Sequence, residues 1–278
     1  MPTRTDRYSA NRVFAVLVVA FALLFSGLVR AVELTAAIEV YDPAYVSMPG
    51  NAIPPNMPGA EMALINEEFA REICRRISAR CTLRYVAFGE ILPGIEEGRC
   101  DLGFGNFLRT PEREKRVAFS DAVWRSSSRL VALRTKAEPL TGKTGQAVSV
   151  DSLHGVRVVA VDGSQQQSFL KNIAGERGLT LVLAATPAGV FSALREDRAD
   201  FALLSAITAY LLLQKDGTRQ FAFAGPAVSD RGLGGSVHIA LPKQRDELRR
   251  TVNQAIATIR ADGTFQRIVR QYLPLGLD

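Results

Sequence analysis

VRVVAVDGSQQQSFLKNI, residues 156–173, is the segment on which the fold turns. Val158, Val159, Ala160 and Val161 make a short apolar, branched run that suits a buried strand. Asp162-Gly163-Ser164 is turn chemistry, and the polar residues after it, with Phe169 and Leu170 among them, suit a helix. Strand, turn and helix recur on both sides. LTLVLAA (179–185) reads as a strand, AGVFSALREDRA (188–199) as a helix, and DFALLSAITAYLLLQ (200–214) as a strand running into a helix, with FAFAGPAVS (221–229) after it.

The same alternation runs back towards the N-terminus. LTAAIEVY (34–41) reads as a strand, followed by a loop rich in Pro, Gly and Asn. ALINEEFAREICRRIS (63–78) carries Ile65, Phe69, Ile73 and Ile77 four apart, an amphipathic helix. TLRYVAF (82–88) is a strand and ILPGIEEG (91–98) a short helix. CDLGFGNF (100–107) is a strand breaking into glycines, TPEREKRV (110–117) a helix, and SSRLVALR (127–134) a strand. Alternating elements of this kind predict an α/β fold. A second lobe is expected to begin after residue 128, with a polar connector at 135–152. The chain should end in helices: Leu248, Val252, Ile256 and Ile259 share a stripe, Gly263 stops that helix, and Thr264 can cap the next.

The 278 residues are 47% hydrophobic and 22% charged, ordinary globular composition for one large or two smaller domains. The formal charge is +6, but Arg4, Arg7, Arg12 and Arg30 lie in the first 31 residues; beyond them 30 basic face 27 acidic residues. No basic block remains, so nucleic acid is not expected as a partner. The first 31 residues read as a secretory signal. Three arginines precede the 17-residue uncharged run VFAVLVVAFALLFSGLV, and Val29 and Ala31 suit cleavage before Val32. The run is short for a membrane span. Export from the cytoplasm follows.

Cys74, Cys81 and Cys100 are the three cysteines. Cys74 falls near a helix end and Cys81 at the start of the next strand. They are either a bridge or two buried thiols; export permits the bridge, and closing so short a loop would stabilise the fold by roughly 2.5 kcal/mol. Cys100 is then a small buried hydrophobe. His154 and His238 are the two histidines and no ligands cluster, so neither metal nor cofactor is expected.

RTPEREKRVAFSD (109–121) contains one oddly placed charge. Thr110 can cap a helix, Pro111 suits its first position, and Glu112 favours the positive end of the dipole. Arg113 sits in the same turn, where the dipole opposes it. A solvated surface charge is the plain explanation; otherwise a charge set against its own helix dipole has another job.

In order and at matching spacing, EICRRISARCT, ILPGIEEGRCDLGF, TPEREKRVAFSD, SRLVAL, VDGS, ALREDRADFAL and the C-terminal LPKQRDELRRTVNQAIATIRADGTFQRIVRQYL resemble the periplasmic solute-binding proteins of bacterial ABC importers, in the polar amino-acid class. The lysine/arginine/ornithine- and histidine-binding proteins are the most similar group. The resemblance implies a type II periplasmic binding fold: signal 1–31, a first lobe of 32–126 plus 228–278, a second lobe of 127–227, and a ligand cleft between them. It implies a monomer that delivers a small carboxylate-bearing ligand to a membrane permease. The Cys74–Cys81 spacing matches that group's disulfide.

The resemblance also implies roles for individual residues. Arg113 would fork onto the ligand's carboxylate, since a guanidinium offers paired donors. Gly105, Asn106, Leu108 and Thr110 would add contacts, with Leu108 standing where a serine is usual. Ser164 and Gln165 face from the second lobe, either as ligand contacts or as simple helix capping. Phe88 would stack on the ligand or pack in the core. Tyr41 falls near a position where relatives carry an acid for a distal cation, with Asp42 or Tyr45 as substitutes; Asn66 replaces another acid. Ser205 stands where amino-acid binders have the aspartate that pairs with the ligand's α-ammonium. Either another acid reaches in, or the ligand is a modified amino acid, an opine-like conjugate or an organic acid. No nucleophile–base set is evident, so a binding protein rather than an enzyme is expected. The rivals are a cyclohexadienyl or arogenate dehydratase on this fold, needing an acid such as Glu61 or Glu90, and a ligand sensor.

Overall fold

The structure, a computed structural model, describes residues 31–45, 53–137 and 148–274. The expected signal before Ala31 and much of the connector lie outside the described residues. Two sheets organise the rest. The first has the order β2-β1-β3-β11-β4, where β1 is Val32–Glu39, β2 Ala79–Val86, β3 Leu102–Leu108, β4 Ala118–Phe119 and β11 Gly235–Leu241; β5 (Trp124–Ser126) also pairs with β11. The second has the order β10-β6-β9-β7-β8, built from β6 (Ser128–Leu133), β7 (Arg157–Val161), β8 (Thr180–Ala184), β9 (Phe201–Ser205) and β10 (Phe221–Phe223). β7 runs parallel to β8 and β9, as strand–helix–strand units require. The fold is a two-lobed α/β protein of the type II periplasmic binding class.

Helices cover both sheets. In the first lobe these are α1 (Ala60–Arg76), α2 (Phe88–Glu96), the one-turn α3 (Pro111–Glu114), α7 (Asp246–Ala261) and α8 (Thr264–Tyr272); in the second, α4 (Gln165–Arg177), α5 (Pro187–Arg195) and α6 (Ala206–Lys215). Ile65, Phe69 and Ile73 of the four-apart stripe are buried. Phe69 meets Phe104 of β3 and Phe265 of α8 edge-on, at 6.3 and 5.5 Å between centroids, so one ring joins sheet, helix and C-terminus. Leu248, Val252, Ile256 and Ile259 are all buried along α7. Cys74 of α1 and Cys81 of β2 are disulfide-bonded with Cα atoms 6.1 Å apart, and Cys100 is a buried free thiol.

The structure differs from the expected elements in four places. β3 runs unbroken through Gly103 and Gly105. A Cβ at Gly105 would lie 2.8 Å from Phe107 and 2.9 Å from Ile91, so close packing of α2, rather than a break, explains the glycine. Phe88 opens α2 instead of ending β2. Thr264 does not cap α8; Gly263 holds the capping position with φ 77°, and Asp262 accepts from the Thr264 amide. GSVHIAL (235–241), given no element in the sequence reading, is β11, which pairs with β3, β4 and β5. Ser120 fixes its register: the Ser120 hydroxyl accepts from Ile239 N at 2.9 Å and the Ser120 carbonyl lies 2.8 Å from His238 Nδ1.

Between β5 and β6 the chain passes from one sheet to the other through Ser127 alone, and it returns between β10 and β11. The two crossings are tied: Ser128 and Val228 exchange both backbone hydrogen bonds at 2.8 Å. The Ser128 hydroxyl, fully buried, donates to Leu233 O at 2.6 Å and accepts from Gln166 Nε2 at 2.8 Å.

Candidate ligand-binding cleft

A cavity of about 60 Å³ lies where the two sheets face each other. Glu39, Phe88, Gly105, Asn106, Leu108, Arg113 and Ser126 line it from one side; Val161, Ser164, Gln165, Gln166, Pro187, Leu204, Ser205 and Thr208 line it from the other. Strand ends and helix starts supply most of the wall, the usual place for a ligand in open α/β sheets.

Arg113 is carried in by local chain geometry. Thr110 caps α3, its hydroxyl accepting from Arg113 N at 3.3 Å, and Pro111 takes the first helical position. The guanidinium is only 8% exposed and is clamped at two points: Nη1 donates to Leu108 O at 2.7 Å, and Nη2 donates across the cleft to Gly163 O at 3.0 Å. The rings of Phe88 and Phe107 lie 5.7 and 5.2 Å from it. Burial, then the neighbouring Arg116 cation, lowers its pKa to about 10, so it stays charged at neutral pH. Three of a guanidinium's five N–H groups remain after two bonds to carbonyls. Among the described residues, Arg113 is thus a buried cation with no carboxylate paired to it.

Glu39, at the end of β1, is its opposite. It is 7% exposed, lines the same cavity, and has no hydrogen-bonding or ionic partner among the described residues. Desolvation raises its pKa to about 8. Sequence reasoning passed over Glu39 because it lies inside a strand that alternates poorly. The signal was present: a carboxylate within LTAAIEVY has no place in a core unless something meets it.

The other singled-out residues divide by place. Phe88, Gly105, Asn106, Leu108, Ser164, Gln165 and Ser205 line the cavity with Arg113. Asn106 has φ 53°, a left-handed conformation that asparagine tolerates better than most residues. Ser164 caps α4, accepting from Gln167 N at 3.1 Å. Ser205 caps α6: its hydroxyl accepts from Thr208 N at 3.3 Å and lies 2.7 Å from Thr208 Oγ1.

Tyr41, Asn66 and Thr110 are not part of the wall. Tyr41 is fully buried, its ring against Gly59, where φ is 72° and a Cβ would fall 1.9 Å from the ring. Its hydroxyl lies 2.9 Å from Thr208 Oγ1 and its carbonyl accepts from Ala188 N at 3.0 Å, so it bridges the lobes instead of facing a ligand. Burial, with Glu39 nearby, pushes its phenol well above the ordinary range. Asn66 is buried in α1, its amide nitrogen without an acceptor among the described residues. Asp42 accepts from Ala44 N at 2.9 Å. Glu61 pairs with Lys215 at 2.9 Å, another bridge between lobes, and Glu90 is exposed on α2; neither lines the cavity. Asp200 pairs with Arg157 and Lys136 at 2.8 and 2.7 Å.

The family model for bacterial extracellular solute-binding proteins, family 3, matches residues 55–275. The histidine-binding periplasmic protein of Escherichia coli K12 is 28% identical over 215 residues, covering 76% of this chain and 79% of the relative. The lysine/arginine/ornithine-binding periplasmic protein of the same organism is 28% identical over 212 residues, covering 76% and 78%. Among solved structures, an ancestral arginine-binding protein bound to arginine superposes with a TM-score of 0.71 at 19% identity, covering 87% of this chain and 98% of that one.

Proposed function

We propose, for a chain that belongs to family 3 of the bacterial extracellular solute-binding proteins, that it captures an amino-acid-like ligand in this cleft, in the periplasm, and delivers it to an ABC permease. The relatives named above bind histidine or lysine, arginine and ornithine, which supports an amino-acid-like ligand here. One observation carries the reading: the Arg113 guanidinium and the Glu39 carboxyl, both buried, line one cavity and are not paired with each other. A ligand carboxylate completes the guanidinium, whose free N–H groups match it in shape and charge. A ligand cation completes Glu39, drawing its carboxyl into the charged form on binding. Contacts already spanning the lobes, from Arg113 to Gly163 and from Tyr41 to Thr208, favour a closed state around the ligand. Calorimetric titration with a panel of amino acids and organic acids tests this. A binder whose affinity depends on Arg113 supports it; a full panel without one overturns it.

A second reading rests on Glu39 alone. A carboxyl kept protonated near neutral pH, in the same cavity as a buried cation, is also what a general acid requires. That favours the dehydratase alternative with Glu39 in the role first considered for Glu61 or Glu90. Ring aromatisation of prephenate, lost in Glu39→Gln, would establish it; unchanged prephenate after prolonged incubation would remove it.

A further inference from the structure

Charge balance inside the cleft narrows the ligand further. Among the described residues, the wall contains one cation, Arg113, and one carboxylate, Glu39; its other polar groups are neutral. Opposite Glu39, the second lobe offers hydroxyls that are already engaged: Ser205 with Thr208, and Thr208 with Tyr41. They can adjust to a ligand but cannot neutralise one.

We infer that the ligand is a net-neutral zwitterion with one carboxylate and one cationic group, selected over the doubly cationic basic amino acids. The inference rests on the reading of Arg113 and Glu39 given above. Arginine, lysine or ornithine would bring two cations and one carboxylate into a site with one of each. One buried positive charge would then be left over, and an uncompensated buried charge weakens a complex by a hundredfold or more. The chemistry has two sources: an α-amino acid with a neutral side chain, or an acid with its single amine or guanidine at the far end of the chain.

The test is competitive calorimetry on the mature protein with four probes: glutamine, 5-aminopentanoate, arginine and pentanoate. One of the two zwitterions should bind at least tenfold tighter than both arginine and pentanoate, and which one identifies the source. Glu39→Gln should erase the advantage of that zwitterion over pentanoate. Ser205→Asp places a second carboxylate on the opposite wall and keeps a good helix cap. It should improve arginine binding at least tenfold relative to the zwitterion. Arginine equal to or tighter than both zwitterions in the unmutated protein overturns the inference while leaving the amino-acid reading intact, provided binding still needs Arg113. Binding indifferent to Arg113→Ala, or no binding by any probe, removes that reading and the inference with it. Thermal melts of each variant separate lost affinity from lost folding.

Discussion

The hydroxyls of Tyr41 and Thr208 lie 2.9 Å apart across the cleft, and Thr208 in turn lies 2.7 Å from Ser205. The first residue belongs to one lobe and the other two to the second, so this chain of hydroxyls ties the two lobes together. Tyr41→Phe removes the link and keeps the ring, while Thr208 still has Ser205. A neutral hydrogen bond contributes about 0.5–1.5 kcal/mol net. Ligand affinity should therefore fall roughly two- to tenfold. Small-angle scattering of the ligand-free variant should show a larger radius than the unmutated protein.

Arg113 offers the sharpest change in affinity. Arg113→Ala leaves a ligand carboxylate buried without its cation and should weaken binding by a hundredfold or more. Arg113→Lys keeps the charge but loses the fork and the clamp to Leu108 and Gly163, so it should fall between alanine and wild type. Isothermal titration measures both. An alanine variant that binds as tightly as the parent would remove Arg113 from the site.

Glu39 should leave its mark on stability as well as on binding. Its pKa in the folded, ligand-free protein is raised by burial from 4.5 to about 8. The folded protein then holds a proton that the unfolded chain has released. Stability contributed at this residue is complete below about pH 4.5 and is lost as pH rises towards 8. The loss is on the order of 3–5 kcal/mol. Glu39→Gln should flatten that slope, gaining more stability over the parent at pH 8 than at pH 5. Denaturant melts at the two pH values read the difference; parallel changes in parent and variant would contradict it.

The disulfide is a separate lever. Replacing Cys74 and Cys81 with serine frees an eight-residue loop and should cost about 2–3 kcal/mol. The bond lies at the α1–β2 turn, away from the cavity wall, so affinity at a temperature where the variant is folded should be unchanged. Calorimetry together with urea melts checks both halves of this expectation.

The sequence was legible where a residue's role is local. The strand–turn–helix alternation, the cap at Thr110, the core stripe of α7 and the turn at Ser164 follow from neighbours a few positions away, and the structure contains each of them. Arg113 stood out because its charge opposes its own helix turn. What escaped notice depends on distant partners. β11 is missed although Val237, Ile239 and Leu241 alternate as in a strand; its partners β3, β4 and β5 lie more than a hundred residues away, so nothing nearby in the chain points to its place. Tyr41 and Glu39 are two positions apart, and the loose match near them drew attention to the tyrosine. Positions two apart on an extended chain share a face, so local sequence does not separate them; β1 ends at Glu39, and the packing of Tyr41 against Gly59 takes its ring away from the cavity.

The doubly bonded pair Ser128–Val228 also constrains how the molecule can move. Two separate tethers could twist independently and let the halves roll or slide. Two tethers laced together behave as one flat ribbon, soft to bending and stiff to torsion. Because Gln166, a residue of the cavity wall, is hydrogen-bonded to the Ser128 hydroxyl at 2.8 Å, a guest that shifts this amide pulls on the ribbon itself.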